Sequence, residues 1–178
     1  VIINSPNAVI TFDGVAAING ALSPSGIVTV VKPVEGLTEV RQGGDINVTA
    51  HTLTLTNSAQ INAQTSGLGN AGNVTINIQD EITLNGDFSG ILTQVAQDAI
   101  GKGGNINLTA DSLSLSNGAQ IASDTFGVGD AGNINLEVRG QITLKDFVTF
   151  SDDNIVFPVQ SSIATGVQGG IGNAGAIT

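Results

Sequence analysis

Residues 43–73, GGDINVTAHTLTLTNSAQINAQTSGLGNAGN, align without a gap on residues 103–133, GGNINLTADSLSLSNGAQIASDTFGVGDAGN. The match continues from VTINIQDEITLNG at 74–86 into INLEVRGQITLKD at 134–146, so one long unit that begins at Gly43 begins again at Gly103. Self-similarity on this scale constrains the fold more than any single residue does. One repeat cannot close a core by itself and must bury its apolar face against a neighbour. Each unit divides again, because GGDINVTA at 43–50 resembles AGNVTINI at 71–78, and the next such step, from Gly72 to Gly104, is slightly longer than the one from Gly44 to Gly72.

Within a subunit, apolar residues alternate at Ile46, Val48 and Ala50, shift phase to Leu53 and Leu55, and shift again to Ala59, Ile61 and Ala63. Alternation at period two with phase shifts predicts three short strands separated by two corners. Stacking then aligns Ile46, Val74, Ile106 and Ile134 in one inner row, and Leu55, Leu84, Leu115 and Leu144 in another. Each such buried side chain contributes about 1.5–3 kcal/mol. The fold class that follows is all-β: a right-handed parallel β-helix of about five coils, three short strands per coil, with right-handed winding expected for parallel crossovers. Asn57, Asn85 and Asn117 recur at one corner and predict an internal asparagine ladder, since Asn tolerates left-handed backbone and bonds its own kind above and below.

The whole chain, 1–178, reads as one β-helix segment. It divides into an N-terminal coil at 1–42, repeat units at 43–102 and 103–162, and the start of a further unit at 163–178. The second unit carries an inserted loop at 146–160. SGLGNAGN at 66–73 has the glycine content of a phosphate- or metal-holding loop, but it returns as FGVGDAGN at 126–133 and GGIGNAGA at 169–176. Recurrence gives it an architectural reading. Gly67 and Gly69 turn the chain out of the third strand, and the small Ala71 and Gly72 pack tightly as the next coil begins.

Composition narrows the partners. Five Lys and Arg against 15 Asp and Glu give a formal charge of −10. Nucleic acid needs a basic patch, so no nucleic-acid partner is expected, and an anionic membrane surface is disfavoured for the same reason. No apolar run approaches the about 20 residues that span a bilayer as a helix. With no cysteine, neither a disulfide framework nor a thiolate metal site is available. The chain starts at Val1 with no Met and no signal peptide, which reads as a mature, processed or partial chain.

The 43–78 stretch and its echo at 103–138 resemble the repeats of filamentous haemagglutinin-like large exoproteins, most nearly the very large cyanobacterial kind. The resemblance covers about 43–146, with IATGVQGGIGNAGAIT at 163–178 as the start of another unit. It implies a long right-handed β-helix that serves as an adhesin, is exported by two-partner secretion, and has a dedicated outer-membrane transporter as partner. NSPN at 4–7 departs from the Asn-Pro-Asn-type secretion motif of the family, so the secretion signal does not transfer onto it.

The 146–160 insertion breaks the pattern and is the candidate partner-binding loop. It holds Phe147, Phe150 and Phe157, half of the six aromatics, together with Asp152 and Asp153. Paired acidic residues on a β-helix wall raise the idea of polysaccharide cleavage. Adjacent carboxylates on a strand face opposite sides, and no nearby Lys, Arg or His completes a constellation, so no catalytic residue is assigned. His51, the single histidine, stands where the second unit has Asp111, which predicts an exposed polar corner rather than a metal ligand. Asn47, Asn73 and Asn107 begin Asn-x-Thr patterns that strand alternation explains without a glycan. Thr52, Thr54 and Thr56 give way to Glu81, Thr83 and Asn85 and to Gln141, Thr143 and Lys145, a face too charged for ice. Asp130 and Asn70 lack the spacing of a repeated calcium loop.

These features predict a non-enzymatic chain without cofactor or metal: a structural and adhesive segment, secreted or held at the cell surface in association with the outer membrane. It would serve as a rigid shaft in adhesion or an extracellular matrix, meeting surface glycans or proteins. Two alternatives stay open: a protomer that self-associates end to end into a filament, and a polysaccharide-binding or polysaccharide-cleaving β-helix.

Overall fold

The computed structural model describes residues 1–18, 21–34, 36, 39–152 and 155–178, and side chains outside 16–22 and 150–157. Among the described residues every regular element is a strand. The first level of the stack contains β1 (Ile2–Asp13), a hairpin of β2 (Val15–Ile18) and β3 (Ala21–Pro24), β4 (Gly26–Val31) and β5 (Arg41–Gln42). The second contains β6 (Ile46–Thr56), β7 (Gln60–Thr65) and β8 (Gly69–Asn70). The third has β9 (Val74–Ile78), β10 (Glu81–Asn85) and β11 (Gly90–Val95), and the fourth β12 (Ile106–Ala110), β13 (Ser112–Ser116) and β14 (Gln120–Thr125). The fifth has β15 (Ile134–Val138), β16 (Ile142–Lys145), a hairpin of β17 (Phe147–Asp152) and β18 (Ile155–Gln160), and β19 (Ser162–Val167).

Outside the two antiparallel hairpins each strand pairs in parallel with its equivalent one level away, which makes the chain a parallel β-solenoid. One face is the five-stranded sheet β4, β7, β11, β14, β19. The other two share one eight-stranded sheet, because β1 and β6 bend across a corner and pair on both sides of it. Five stacked strands are joined by four passages of the chain, so the solenoid has about four turns, slightly fewer than the five coils read from the sequence.

Both expected inner rows are present. Ile46, Val74, Ile106 and Ile134 stand in register and are fully buried. Leu55, Leu84 and Leu115 are likewise at 0% exposure, whereas Leu144 in the same row is 43% exposed because no further level covers it. A third aliphatic row, Ile27, Ile61, Ile91, Ile121 and Ile163, comes from the five-stranded sheet and closes the core.

The asparagine expectation needs correction in register and in burial. Asn85 pairs with Thr56 and Ser116, one position before Asn57 and Asn117. The cause is the preceding corner, which takes one residue more between Ile78 and Ile82 than between Ala50 and Leu53. Asn57 and Asn117 are exposed and left-handed, with φ of 53° and 55°. Each works with the hydroxyl before it. Thr56 Oγ1 and Asn57 Nδ2 donate to Asp13 Oδ1 at 2.6 and 2.8 Å, and Ser116 Oγ and Asn117 Nδ2 donate to Asn85 Oδ1 at 3.2 and 2.8 Å.

Candidate functional site

Two rows of close contact run up the turn that SGLGNAGN forms. A Cβ on Gly72 would lie 2.2 Å from Gly44 O, one on Gly104 1.9 Å from Gly72 O, and one on Gly132 2.0 Å from Gly104 O. Only glycine lets successive turns approach so closely. Three carbonyls of this glycine row are met from inside by hydroxyls of the five-stranded sheet: Thr29, Thr93 and Thr165 Oγ1 donate to the oxygens of Gly44, Gly104 and Gly132 at 2.8, 2.6 and 2.9 Å. Outside, the two asparagines of GNAGN bond to the next level. Asn70 Oδ1 accepts from the Lys102 N–H at 2.9 Å, and Asn73 Oδ1 from the Asn105 N–H at 2.9 Å. The second row extends from Asp45 through Asn73, Asn105 and Asn133 to the Ala176 N–H. The polar atoms that would hold an anion or a metal are spent on the turns above and below.

Asp130 belongs to the same construction. Its carboxylate accepts from the Asn173 N–H and Nδ2 at 3.0 and 2.9 Å, which holds it below the usual carboxylate range. His51 lies on its corner with 48% of its side chain exposed, Nδ1 3.4 Å from Gln79 Oε1 and Nε2 4.0 Å from Asp80. Asp111, one repeat on, is paired with Arg139 from the level above.

The 146–160 insertion is an antiparallel hairpin. Phe147 opens it opposite Gln160 and is 57% exposed. Phe150 stands opposite Phe157 and Asp152 opposite Ile155 in the backbone register. Asp153 lies outside the described residues, as do the side chains of Phe150, Asp152 and Phe157, so no common site of these five residues is described. The hairpin base folds back on the level below it, where Ser161 Oγ accepts the Gly118 N–H at 3.1 Å and a Cβ on Gly118 would meet Val148 at 2.8 Å.

Sequence reading missed a hairpin and a groove. The hairpin β2–β3 leaves the solenoid at the same corner as β17–β18, between the second face and the five-stranded sheet, four levels lower. The groove lies on the outer side of the five-stranded sheet, about 290 Å³ in volume, with Phe88, Leu92, Gln94, Asp124, Phe126 and Gln168 among its lining residues. A second depression of about 470 Å³ shares Gln94, Phe126 and Gln168 with it, so the two run together past Phe126. Phe88 is 57% exposed and adopts φ of 58°, a conformation that costs a bulky side chain on the order of 1–3 kcal/mol. Asp124 is only 6% exposed and its Oδ1 has no hydrogen-bond partner. Burial raises its carboxyl above the ordinary value, and a hydrogen bond from Gln168 offsets part of the rise. The signal in the sequence was weak: outward positions spread over four levels, with Phe126 standing where the first unit has Ser66.

Comparison of the chain with protein-family models, with curated proteins and with solved structures gave no match.

Proposed function

We propose that this chain is a shaft segment of a secreted or cell-surface exoprotein of the filamentous haemagglutinin-like kind, working in adhesion or in an extracellular matrix. The observation that carries the reading is the repetition of one hydrogen-bonded cross-section. The turn asparagines, the turn glycines and three aliphatic rows recur level after level, each bonded or packed to the next. Such a stack transmits load along its axis through many parallel ladders, while outward side chains vary freely and meet ligands. Adhesion through many weak contacts on a stiff rod gains its strength from multivalency. Export by the two-partner route supplies the remaining partner, an outer-membrane transporter.

Antibody labelling and protease shaving of intact source cells test the reading. Labelling is expected on unpermeabilised cells, with loss when the gene of the outer-membrane transporter is disrupted. Protein confined to the cytoplasm in both strains would overturn it.

A further inference from the structure

We propose that the outer groove of the five-stranded sheet binds an uncharged polysaccharide chain. This deepens the adhesive part of the reading above and rests on it. Among the described residues three buried side-chain oxygens lack a partner: Asn62 Oδ1, Asp124 Oδ1 and Thr125 Oγ1. One of the three, Asp124 Oδ1, lies in the groove wall, and Asn62 stands on the same outer face in register with Leu92 but outside the groove lining. Buried acceptors without donors are rare in folded proteins and ask for a ligand or another explanation. A polyol supplies the missing O–H donors.

The remaining lining fits the same chemistry. Gln94 and Gln120 offer amides that both donate and accept, the pairing that sugar hydroxyls require, while Gln60 Nε2 already donates to Phe88 O at 3.0 Å and the Gln168 amide to Asp124. Phe88 and Phe126, 57% and 36% exposed in the lining, supply aromatic surface of the kind that packs against the C–H side of a pyranose ring. They flank opposite ends of strands six residues long, about 20 Å apart along the strand at about 3.3 Å per residue, a span suited to several sugar units rather than one. Gly90 separates Gln60 from Gln120 in one outward row, and Gly166 follows Gln94 and Asp124 in another, so side chains are absent where a chain would lie. Other occupants fit less well. The lining contains no Lys or Arg and does contain Asp124, which repels acidic polymers. A peptide adding as a strand needs a free sheet edge, and β11 and β14 are paired on both sides.

Affinity electrophoresis of the whole chain through gels containing hydroxyethyl cellulose, glucomannan or dextran, with alginate as the acidic comparator, tests the proposal. At least one neutral polymer should retard the protein and alginate should not. Phe126→Ala should weaken retardation by about tenfold or more, and Asp124→Asn by several-fold, with Thr54→Ala on another face unchanged. Phe88→Gly removes the second ring at a left-handed backbone position that glycine adopts without strain, and it should weaken retardation as well. Free migration in all three neutral gels would overturn the proposal. So would retardation by alginate alone, or migration of Phe126→Ala and Asp124→Asn like the parent chain. Loss of the groove with surface labelling intact leaves the shaft reading standing, whereas retardation without surface labelling removes the shaft and keeps the groove.

Discussion

Asn73 is tied to Asp45 of the level below by two donors that converge on one oxygen: its backbone N–H and its Nδ2 reach Asp45 Oδ1 at 2.8 and 3.2 Å. One level on, the roles rotate, and Asn73 Oδ1 accepts the N–H of Asn105. An Asn or Asp at this position therefore registers each turn against the next in a way that no aliphatic row does. Aliphatic rows tolerate sliding, but a directed hydrogen bond does not.

Replacing Asn105 with Ala removes the acceptor of the Asn133 N–H at an exposed position. The expected loss is about 1 kcal/mol, or roughly 2–4 °C in Tm for a chain of this size, read by calorimetry. Asn105→Asp keeps the Oδ1 acceptor and should retain most of that difference. Equal losses for Ala and Asp would show that the row does not act through this bond.

The glycine row should be far less tolerant. In Gly104→Ala the new methyl would lie 1.9 Å from Gly72 O, a backbone atom fixed by its own level. Urea unfolding should show a loss on the order of 3 kcal/mol. Gly14→Ala is the comparison, because Gly14 has φ of 75° but nothing within 4 Å of a Cβ. It should lose only the conformational penalty of about 1 kcal/mol. Similar midpoints for the two variants would contradict the close approach.

Much of this could be read from the sequence because the repeat imposes a single alignment on all levels. The rows through Ile46 and Leu55 needed only alternation and the spacing of the repeats, and both appear in the stack. The failures share a cause, local length. One added residue in the corner before Ile82 displaced Asn85 from Asn57, a shift that the sequence conceals because Asn57 to Asn85 spans the same distance along the chain as Gly44 to Gly72. Hairpin β2–β3 has no counterpart in the second or third level, so no alignment revealed it. The groove combines residues of four levels, from Gln60 to Gln168, whose adjacency exists only once register is known.

Position along the axis should govern what a core truncation costs. Leu84 and Leu144 occupy the same inner row, at 0% and 43% exposure. Leu84→Ala should cost about 2–5 kcal/mol, because the cavity is enclosed by Leu55 and Leu115. Leu144→Ala removes a side chain already in contact with water and should cost roughly 1 kcal/mol or less, in proportion to the smaller area it buries. Parallel urea titrations decide the matter, and comparable costs would mean that Leu144 is covered in solution.

Three aspartates give stability an acid profile with two opposing parts. Asp13 is held below its ordinary value by the donors Thr56 and Asn57, and Asp130 by Asn173. Groups lowered in the folded state add stability above the unfolded value of about 3.9 and lose it as pH falls through the depressed folded values. Asp124 runs the other way. Burial raises its folded value, so its ionised form destabilises the protein at neutral pH, and the penalty is relieved as pH falls through that raised value toward about 3.9. Tm should therefore rise modestly on acidification from pH 7 and then fall once pH drops below about 3.9. Asp124→Asn should raise Tm at pH 7 and abolish the first rise while leaving the fall. A variant that gains nothing at pH 7 would place the Asp124 carboxylate in water rather than in the wall of the groove. A variant that gains stability yet loses polymer retardation would show why a buried, half-paired carboxylate is kept on that wall: the cost is carried in the free protein and removed when the groove is filled.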